Sequence, residues 1–155
     1  MTSREVPVPF EEKADLASLM QAYVGEMSQI IGLPPGDGRY AYFDLYWTEP
    51  DRRWPFWLKV DDTNVGFALL RRNPDIMRME MAEFFVLPRF RRTGIGKAAA
   101  RRLIRRRPGD WRITQRENNA GAIAFWHRVL DGFVAYRETT TTTDAIRREQ
   151  RFTVP

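Results

Sequence analysis

The feature that constrains the fold most is a strand-like segment followed directly by a glycine-containing loop and a basic helix. Residues 77–87 alternate as a strand does, and residues 94–107 have helical spacing with a narrow apolar side. Gly94 and Gly96 lie at the junction. Glycine permits a positive φ and close approach to the backbone, and free N–H groups at a helix start attract anions. The segment predicts either an anion site at this junction or a basic helix with incidental glycines.

Two other phosphate-binding loops do not fit the junction. A dinucleotide-binding loop, G-x-G-x-x-G, tolerates Ala99 at its third glycine position, but it needs an acidic residue about 20 positions further on. The residues in that region are Trp111, Arg112 and Ile113. A G-x-x-x-x-G-K-[ST] loop is absent, because Lys97 follows a G-x-G spacing. On spacing alone, a solvated basic helix and a nucleic-acid-binding helix stay open as alternatives.

The rest of the chain intersperses helices with strands, and short turns join several of the strands. Apolar residues at helical spacing cover residues 12–31, and Asn118 or Asn119 is a suitable N-cap for a later helix that runs to Asp131, with Gly132 beyond it. The pattern predicts one α/β domain over residues 1–155 with a mixed sheet. The other predicted elements are a loop at 33–38, a short helix at 40–47, and strands at 57–60, 65–71, 111–116, 133–143 and 146–154.

The composition excludes several kinds of site. The chain has no cysteine, and His127 is its only histidine, so disulfides and thiolate sites are excluded and a conventional zinc site is not expected. No apolar stretch approaches the roughly 20 residues that span a membrane, and the N-terminal segment lacks the apolar core of a signal peptide. We therefore expect a cytoplasmic protein that binds no metal. The net charge of +5 favours anionic partners in general.

Two short motifs stand in the order and spacing of a known family. Residues 91–96, RRTGIG, match the signature [QR]-x-x-G-x-[GA], and residues 84–88 resemble the strand that precedes it. Residues 119–126, NAGAIAFW, resemble the helix motif N-x-x-A-x-x-F-[YW], with Gly132 and Phe133 after it. The chain thus resembles the GNAT superfamily of acetyl-CoA-dependent N-acetyltransferases over residues 12–154. The first strand of that family would fall at residues 5–9, where two prolines restrict it to a sheet edge.

The resemblance implies a fold and a cofactor. The fold is a mixed, mostly antiparallel sheet of about six to seven strands flanked by helices, with acetyl-CoA bound where the fourth and fifth strands separate. The pyrophosphate would lie on the signature loop, the pantetheine arm along the fourth strand, and the second motif helix on the other side of the cofactor. The implied cofactor-binding residues are Phe85, Val86, Leu87, Arg91, Arg92, Thr93, Gly94, Ile95, Gly96, Lys97, Asn119, Phe125 and Trp126.

The resemblance also implies that an amine attacks the thioester directly. A backbone N–H at about Val86 would stabilise the carbonyl oxygen, and a base would take the proton of the ammonium group. Glu83 is the candidate base, because burial in an apolar row would raise its pKa. The alternative is that Glu83 forms a structural pair with an arginine, and Glu80 is expected to be structural. The row that shares one face of the alternating strand with Glu83 is Met79, Met81, Phe85 and Leu87.

Trp126 stands where many family members have a tyrosine that protonates the leaving thiolate. An indole N–H cannot supply that proton, so water, Tyr136 or His127 would have to, although we expect His127 to be a surface residue. This departure leaves a non-catalytic acyl-CoA-binding sensor as a second class of function. A basic nucleic-acid-binding domain is the third class, and the signature disfavours it.

The acceptor cannot be named from the sequence. Aromatic residues concentrate at 40–57, where the family walls its acceptor pocket, and they either close over an acceptor or pack the sheet. Asp44 and Glu49 are acids in this segment that could hold an amine. We expect a small-molecule or peptide amine as the partner, no membrane, no nucleic acid, and a monomer or homodimer.

Overall fold

Seven strands form one sheet in the computed structural model, which describes residues 2–32 and 40–155. The predicted loop at 33–38 lies outside the described residues. The strands are β1 (Arg4–Pro7), β2 (Arg53–Val60), β3 (Thr63–Asn73), β4 (Arg78–Val86), β5 (Gly109–Arg116), β6 (Tyr136–Thr142) and β7 (Ile146–Val154). The helices are α1 (Lys13–Ile31), α2 (Leu45–Thr48), α3 (Ile95–Arg105) and α4 (Ala120–Leu130).

The strand order is β1-β2-β3-β4-β5-β7-β6. β4 and β5 run parallel, and the other five neighbouring pairs are antiparallel. The prediction of a mixed, mostly antiparallel sheet of six to seven strands is confirmed. β1 lies at an edge, as the prolines near it require.

Three elements begin three or more residues away from their predicted starts. The short helix predicted at 40–47 is a series of turns followed by α2, because the N–H groups of Phe43 and Tyr46 reach carbonyls three residues back. β2 begins at Arg53 rather than at 57, and the strand includes Pro55. β6 begins at Tyr136 rather than at 133, because Phe133 and Val134 pack against the core after the turn.

Each face of the sheet carries its own apolar layer. α3 and α4 cover one face, and their buried residues pack on apolar residues of β2 to β5 and β7. α1 and α2 cover the other face over β2 to β4, where their buried residues are Leu16, Met20 and Tyr46. Within the described part of the chain, no helix has the length and apolar character to cross a membrane.

A β-bulge in β4 changes which face of the sheet the side chains after it occupy. Glu83 pairs with Leu69, but Met81 pairs with Leu70, which leaves Ala82 as an extra residue. An extra residue shifts the alternation of side chains by one position. Met79 and Met81 before the bulge therefore pack under α3 and α4, whereas Phe85 after it packs under α1. The predicted single row of Met79, Met81, Glu83, Phe85 and Leu87 is wrong for this reason.

Candidate active site

A cleft opens between the two parallel strands. β4 and β5 pair only at Met79 with Trp111 and at Glu80 with Arg112. β4 continues to Val86 and β5 continues to Arg116 without further pairing. The strands therefore separate toward their C-terminal ends, and Glu83 lies on β4 just beyond the last pair.

The edge of β4 that faces this cleft carries the backbone groups of Val86, which do not bond to β3. The N–H of Leu87 donates to the carbonyl of Val65 in β3 at 2.8 Å. Backbone groups of successive residues in an antiparallel pair point to opposite sides, so those of Val86 point away from β3. The carbonyl of Val86 accepts from Arg91 Nε at 2.8 Å on that side. The N–H of Val86 is thus directed at the cleft, which suits its predicted role as an oxyanion donor.

The signature loop leads into the N-terminus of α3. Arg92 and Gly94 both have left-handed backbones, with φ values of 60° and 85°. The hydroxyl of Thr93 donates to the carbonyl of Phe90 at 2.7 Å, which closes the loop. The first N–H groups of α3 have no partner within the helix, and the helix dipole makes this end positive. This geometry is that of the anion site predicted at the junction.

The basic side chains of the loop divide into two kinds. Arg92 and Lys97 are exposed, and neither bonds to another residue within 2–32 or 40–155. Arg91 instead bonds to Val86 and forms a two-armed ion pair with Glu26 of α1, with N–O distances of 2.8 and 2.9 Å. Arg91 therefore ties the loop to β4 and α1, while the other two side chains are available to an anion.

Gly96 lies where α3, α4 and β4 meet. A Cβ atom at this position would be 3.3 Å from side-chain carbons of Phe125 and Val86. Phe125 also stacks on Phe84, with ring centroids 5.4 Å apart. Glycine is therefore favoured at position 96 by the close packing around it. At position 94 glycine is favoured by the positive φ of the loop.

Asn119 and Trp126, the first and last residues of the second motif, both make structural contacts. The Asn119 side chain is buried, and its Oδ1 accepts from the N–H of Ala122 at 3.1 Å, which caps α4 as predicted. Trp126 is buried against Phe84 and Phe125, with ring centroids 5.5 and 5.0 Å away. Contact of Asn119 and Trp126 with a cofactor stays a prediction.

The arginines of α3 mostly hold the helix in place. Arg102 bonds to the buried carboxylate of Glu5 at 2.9 Å, and Arg106 lies 3.7 Å from the same group. Arg101 donates to the carbonyls of Val129, Arg128 and Asp131 at the end of α4. The interpretation of this segment as a solvated basic helix is wrong for Arg101 and Arg102, which hold α3 against α4 and β1, whereas Arg106 stays exposed just after the helix.

Glu83 is partly buried on the face of the sheet that α1 covers. The hydroxyl of Tyr23 donates a hydrogen bond to Glu83 Oε2. Burial raises the pKa of Glu83 to about 7, although hydrogen bonds from Tyr23 and Tyr40 and the charges of Arg147 and Arg71 act in the opposite direction. In the part of the chain that the structure describes, Glu83 forms no ion pair. Glu80 does, since it bonds to Arg71 and Arg112.

The hydroxyl groups around Glu83 are held protonated. Burial raises the pKa of Tyr23 well above its usual value, and the neighbouring carboxylate adds to the effect. The pKa of Tyr40 is raised for the same two reasons. Tyr46 is buried, its pKa is raised to about 12 by burial, and its hydroxyl has no hydrogen-bond partner among the described residues. These hydroxyls can therefore donate to a carboxylate or accept from an ammonium group, but they do not act as bases.

The other acids proposed for the acceptor side are already paired. Asp44 lies 2.7 Å from Lys13, and Glu49 bonds to Arg52 and to Arg53, the latter at 2.9 Å. Neither acid is held for an incoming amine. Glu83 is thus the carboxylate that the structure leaves for this role.

His127 and Tyr136 lie on the opposite side of the sheet from Glu83. The ring of His127 is 2.6 Å from Glu138, and the hydroxyl of Tyr136 donates to Asp131 at 2.7 Å. That hydrogen bond raises the pKa of Tyr136 to about 12. Both groups are therefore bonded to acids on the α4 side of the sheet rather than to the carboxyl group of Glu83. Among residues 2–32 and 40–155, no cluster of His, Asp or Glu is arranged to hold a metal ion.

Sequence reasoning missed the part that α1 plays. Tyr23 fits the apolar spacing of an amphipathic helix, so nothing in the pattern distinguishes it from a core residue. The bulge at Ala82 also carries no sequence signal here. Both features were needed to bring Glu83 against Tyr23.

The cleft and the helix start beside it define a class of protein. A mixed sheet whose parallel pair separates beside a glycine-containing helix start is the arrangement implied by the GNAT resemblance. The model of the acetyltransferase (GNAT) family matches residues 17–131, and the chain belongs to this family. The search of curated proteins returned no match.

Solved structures resemble this fold over nearly the full chain. An acetyltransferase from Thermus thermophilus is 17% identical with a TM-score of 0.74, covering 97% of this chain and 96% of its own. RimL, a ribosomal alpha-N-protein acetyltransferase in complex with coenzyme A, is 10% identical, with a TM-score of 0.73 and coverages of 99% and 95%. An aminoglycoside acetyltransferase in complex with coenzyme A is 11% identical, with a TM-score of 0.69 and coverages of 97% and 94%. At these identities the likeness shows the fold alone.

Proposed function

We propose that this protein transfers the acetyl group of acetyl-CoA to an amine. The observation that carries the proposal is Glu83, a carboxylate with a pKa near neutrality, held by Tyr23 beside the opening between β4 and β5. A base with a pKa near the working pH is suited to proton transfer. Membership of the acetyltransferase family supports the reaction class.

The residues of the cleft fit acetyl-CoA as the donor. The first turn of α3 with Arg92 and Lys97 offers N–H groups and positive charge to the pyrophosphate. The backbone of Val86 offers an unpaired N–H on the open edge of β4 to the thioester oxygen. Two of the similar structures hold coenzyme A, which agrees with this donor.

The step forms one bond and breaks one. Glu83 takes a proton from the acceptor ammonium group, and the free amine attacks the carbonyl carbon while the N–H of Val86 stabilises the oxygen. The C–N bond forms, the C–S bond breaks, and the thiolate of coenzyme A leaves. The nitrogen loses its second proton as the amide forms, and water passes this proton to the thiolate in this proposal, since Trp126 is buried in the core. The acceptor is a small molecule or part of a polypeptide.

A non-catalytic acyl-CoA sensor is the second candidate. Trp126 favours it, because the described part of the cleft holds no acid in place of the usual tyrosine. Release of free thiol that depends on an added amine separates the two candidates. We expect Glu83→Gln to lower this rate by about 10²–10⁴-fold while binding of acetyl-CoA is kept.

A thermal melt with acetyl-CoA tests the donor directly. At 100 times the dissociation constant, binding adds about 2.7 kcal/mol, or roughly 5–10 °C for a chain of this size. ATP at the same concentration is the polyphosphate control. A rise with acetyl-CoA that disappears in Gly94→Glu supports the proposal, whereas an equal rise with ATP that salt removes would contradict it.

A further inference from the structure

One face of β5, β7 and β6 carries no apolar side chain. The registers of these strands place Asp110, Arg112, Thr114 and Arg116 of β5 beside Arg147, Glu149, Arg151 and Thr153 of β7 and Arg137, Thr139 and Thr141 of β6. We call this set the arginine–threonine face. The opposite side of the same strands is packed under α3 and α4. No helix of residues 2–32 or 40–155 covers the arginine–threonine face, because α1 and α2 pack on β2 to β4.

The positive charge of this face is only partly neutralised. Glu149 is buried and bonds to both Arg112 and Arg151, each at 3.3 Å. Arg147 pairs at 2.9 Å with Asp144, a residue that is itself mostly exposed. Arg116 and Arg137 have no acidic partner among the residues described. The end of the face near Arg116 and Arg147 therefore has a net positive charge.

That positive end lies beside the candidate base. The last pair of β4 with β5 is Glu80 with Arg112, and Glu83 and Arg116 lie three and four residues beyond it on their strands. Arg147 is paired with Arg116 in the sheet, and its charge lowers the pKa of Glu83 against the effect of burial. An ammonium group that approaches Glu83 from this side passes arginines of the same sign.

We propose that the arginine–threonine face docks an acidic polypeptide segment, whose amine is then presented to Glu83. Negative charges in the acceptor offset the repulsion that the arginines impose on an ammonium group. The face also spans three strands, about 10 Å across, and seven residues of β5, about 20 Å along. This area is too large for a single carboxylate and fits several residues of extended chain. The proposal rests on the acetyl transfer proposed above and specifies its acceptor.

Two observations favour a polypeptide over a nucleic acid. Single-stranded nucleic acids bind through aromatic side chains that stack on bases, and the arginine–threonine face has none. A continuous phosphate backbone also needs an unbroken row of cations, whereas the buried Glu149 neutralises part of the charge of Arg112 and Arg151 in the middle of the face. A polycationic acceptor is disfavoured, because the five arginines of the face would repel it.

Binding of a fluorescent peptide tests the docking step without catalysis. The probe is a twelve-residue peptide of alternating Glu and Gly with one lysine, and its control has Gln in place of every Glu. We expect the acidic peptide to bind at least about ten-fold more tightly and to lose affinity as salt rises. Arg116→Gln combined with Arg137→Gln is expected to weaken binding at least about five-fold. The matched control is Arg105→Gln with Arg128→Gln, which removes the same charge from exposed positions of α3 and α4.

The outcomes separate docking from chemistry. Glu83→Gln should bind the acidic peptide as the unaltered chain does, so loss of acetylation with binding retained is a failure of the chemistry rather than of docking. In the Arg116/Arg137 variant, a raised KM for lysine acetylation with an unchanged kcat supports docking. Equal weakening in both double variants would overturn the proposal, since net charge alone would explain it. Tighter binding of a single-stranded RNA of equal charge, lost with Arg116 and Arg137, would also overturn it and identify a nucleic-acid surface.

Discussion

The hydroxyl of Tyr23 on α1 donates a hydrogen bond to the carboxyl group of Glu83 on β4. The ring of Tyr23 is fixed edge-on against Phe67 and Phe85, with both centroid distances 5.6 Å. A hydrogen bond to a carboxylate favours its charged form, which lowers the pKa. The position of α1 therefore sets the proton affinity of the proposed base, and the two elements are coupled through this contact.

Tyr23→Phe should move the pH dependence of the reaction to higher pH. Burial raises the pKa of Glu83 to about 7, and the Tyr23 hydrogen bond opposes this rise, so its removal raises the pKa further. We expect kcat/KM to rise through about pH 7 in the unaltered chain and to reach its plateau later in the variant. Tyr136→Phe is the control, because its hydroxyl bonds to Asp131 on the other side of the sheet. A profile that stays in place in Tyr23→Phe would argue against Glu83 as the base.

Glu83→Gln should stabilise the fold at high pH. In the unfolded chain the carboxyl ionises near the ordinary glutamate pKa of 4.5, whereas in the folded chain burial delays ionisation to about 7. Ionisation of Glu83 therefore destabilises the folded state. Relative to the variant, the free energy of unfolding of the unaltered chain falls as the pH rises from 4.5 to 7. At pH 8 the variant should be more stable by up to about 3 kcal/mol, and at pH 4 the difference should nearly vanish. Urea unfolding at both pH values measures this, and a variant less stable at pH 8 would contradict it.

Glu80→Gln should have the opposite effect, although Glu80 lies on the same strand. Glu80 is buried and accepts from Arg71 Nε and Arg112 Nε, both at 2.7 Å. Removal of its charge leaves Arg71 without its acidic partner and Arg112 with Glu149 alone, and we expect a loss of about 1–3 kcal/mol at pH 7. Binding of acetyl-CoA should be retained at temperatures where the variant is folded. Urea unfolding beside Glu83→Gln gives the comparison, and equal stability changes in the two variants would show that burial rather than pairing governs both.

The elements that the sequence predicted well are those with local signals. Gly94 has the positive φ that its place before a helix implied, and the Asn119 side chain caps α4. The mixed, mostly antiparallel sheet was implied by the GNAT resemblance, which two motifs in the right order and spacing carried. The predicted anion site at the start of α3 depends on the same local signals.

Features that depend on distant contacts were not predictable. The bulge at Ala82 decides which face Glu83 occupies, and it results from pairing with β3 rather than from any residue type. Arg91 was expected to bind the cofactor and Arg102 to belong to a basic helix, but each finds an acid far along the chain, at Glu26 and Glu5. In a chain rich in arginine, the periodicity of the sequence does not indicate which arginines form ion pairs. The net charge of a surface therefore has to be determined from the structure.

Gly94→Ala and Gly25→Ala form a matched pair that isolates backbone geometry. A Cβ atom at either position would have no neighbour within 4 Å, but Gly94 has a φ of +85° whereas Gly25 lies within α1. An alanine at 94 must adopt a left-handed backbone and should cost about 1–2 kcal/mol. An alanine at 25 removes a glycine from a helix and should stabilise by about 0.5–1 kcal/mol. Melts with and without acetyl-CoA measure both effects. Because Gly94 shapes the loop that offers its N–H groups to the pyrophosphate, the rise with acetyl-CoA should shrink in Gly94→Ala alone, and an equal shrinkage in both variants would contradict this placement of the donor.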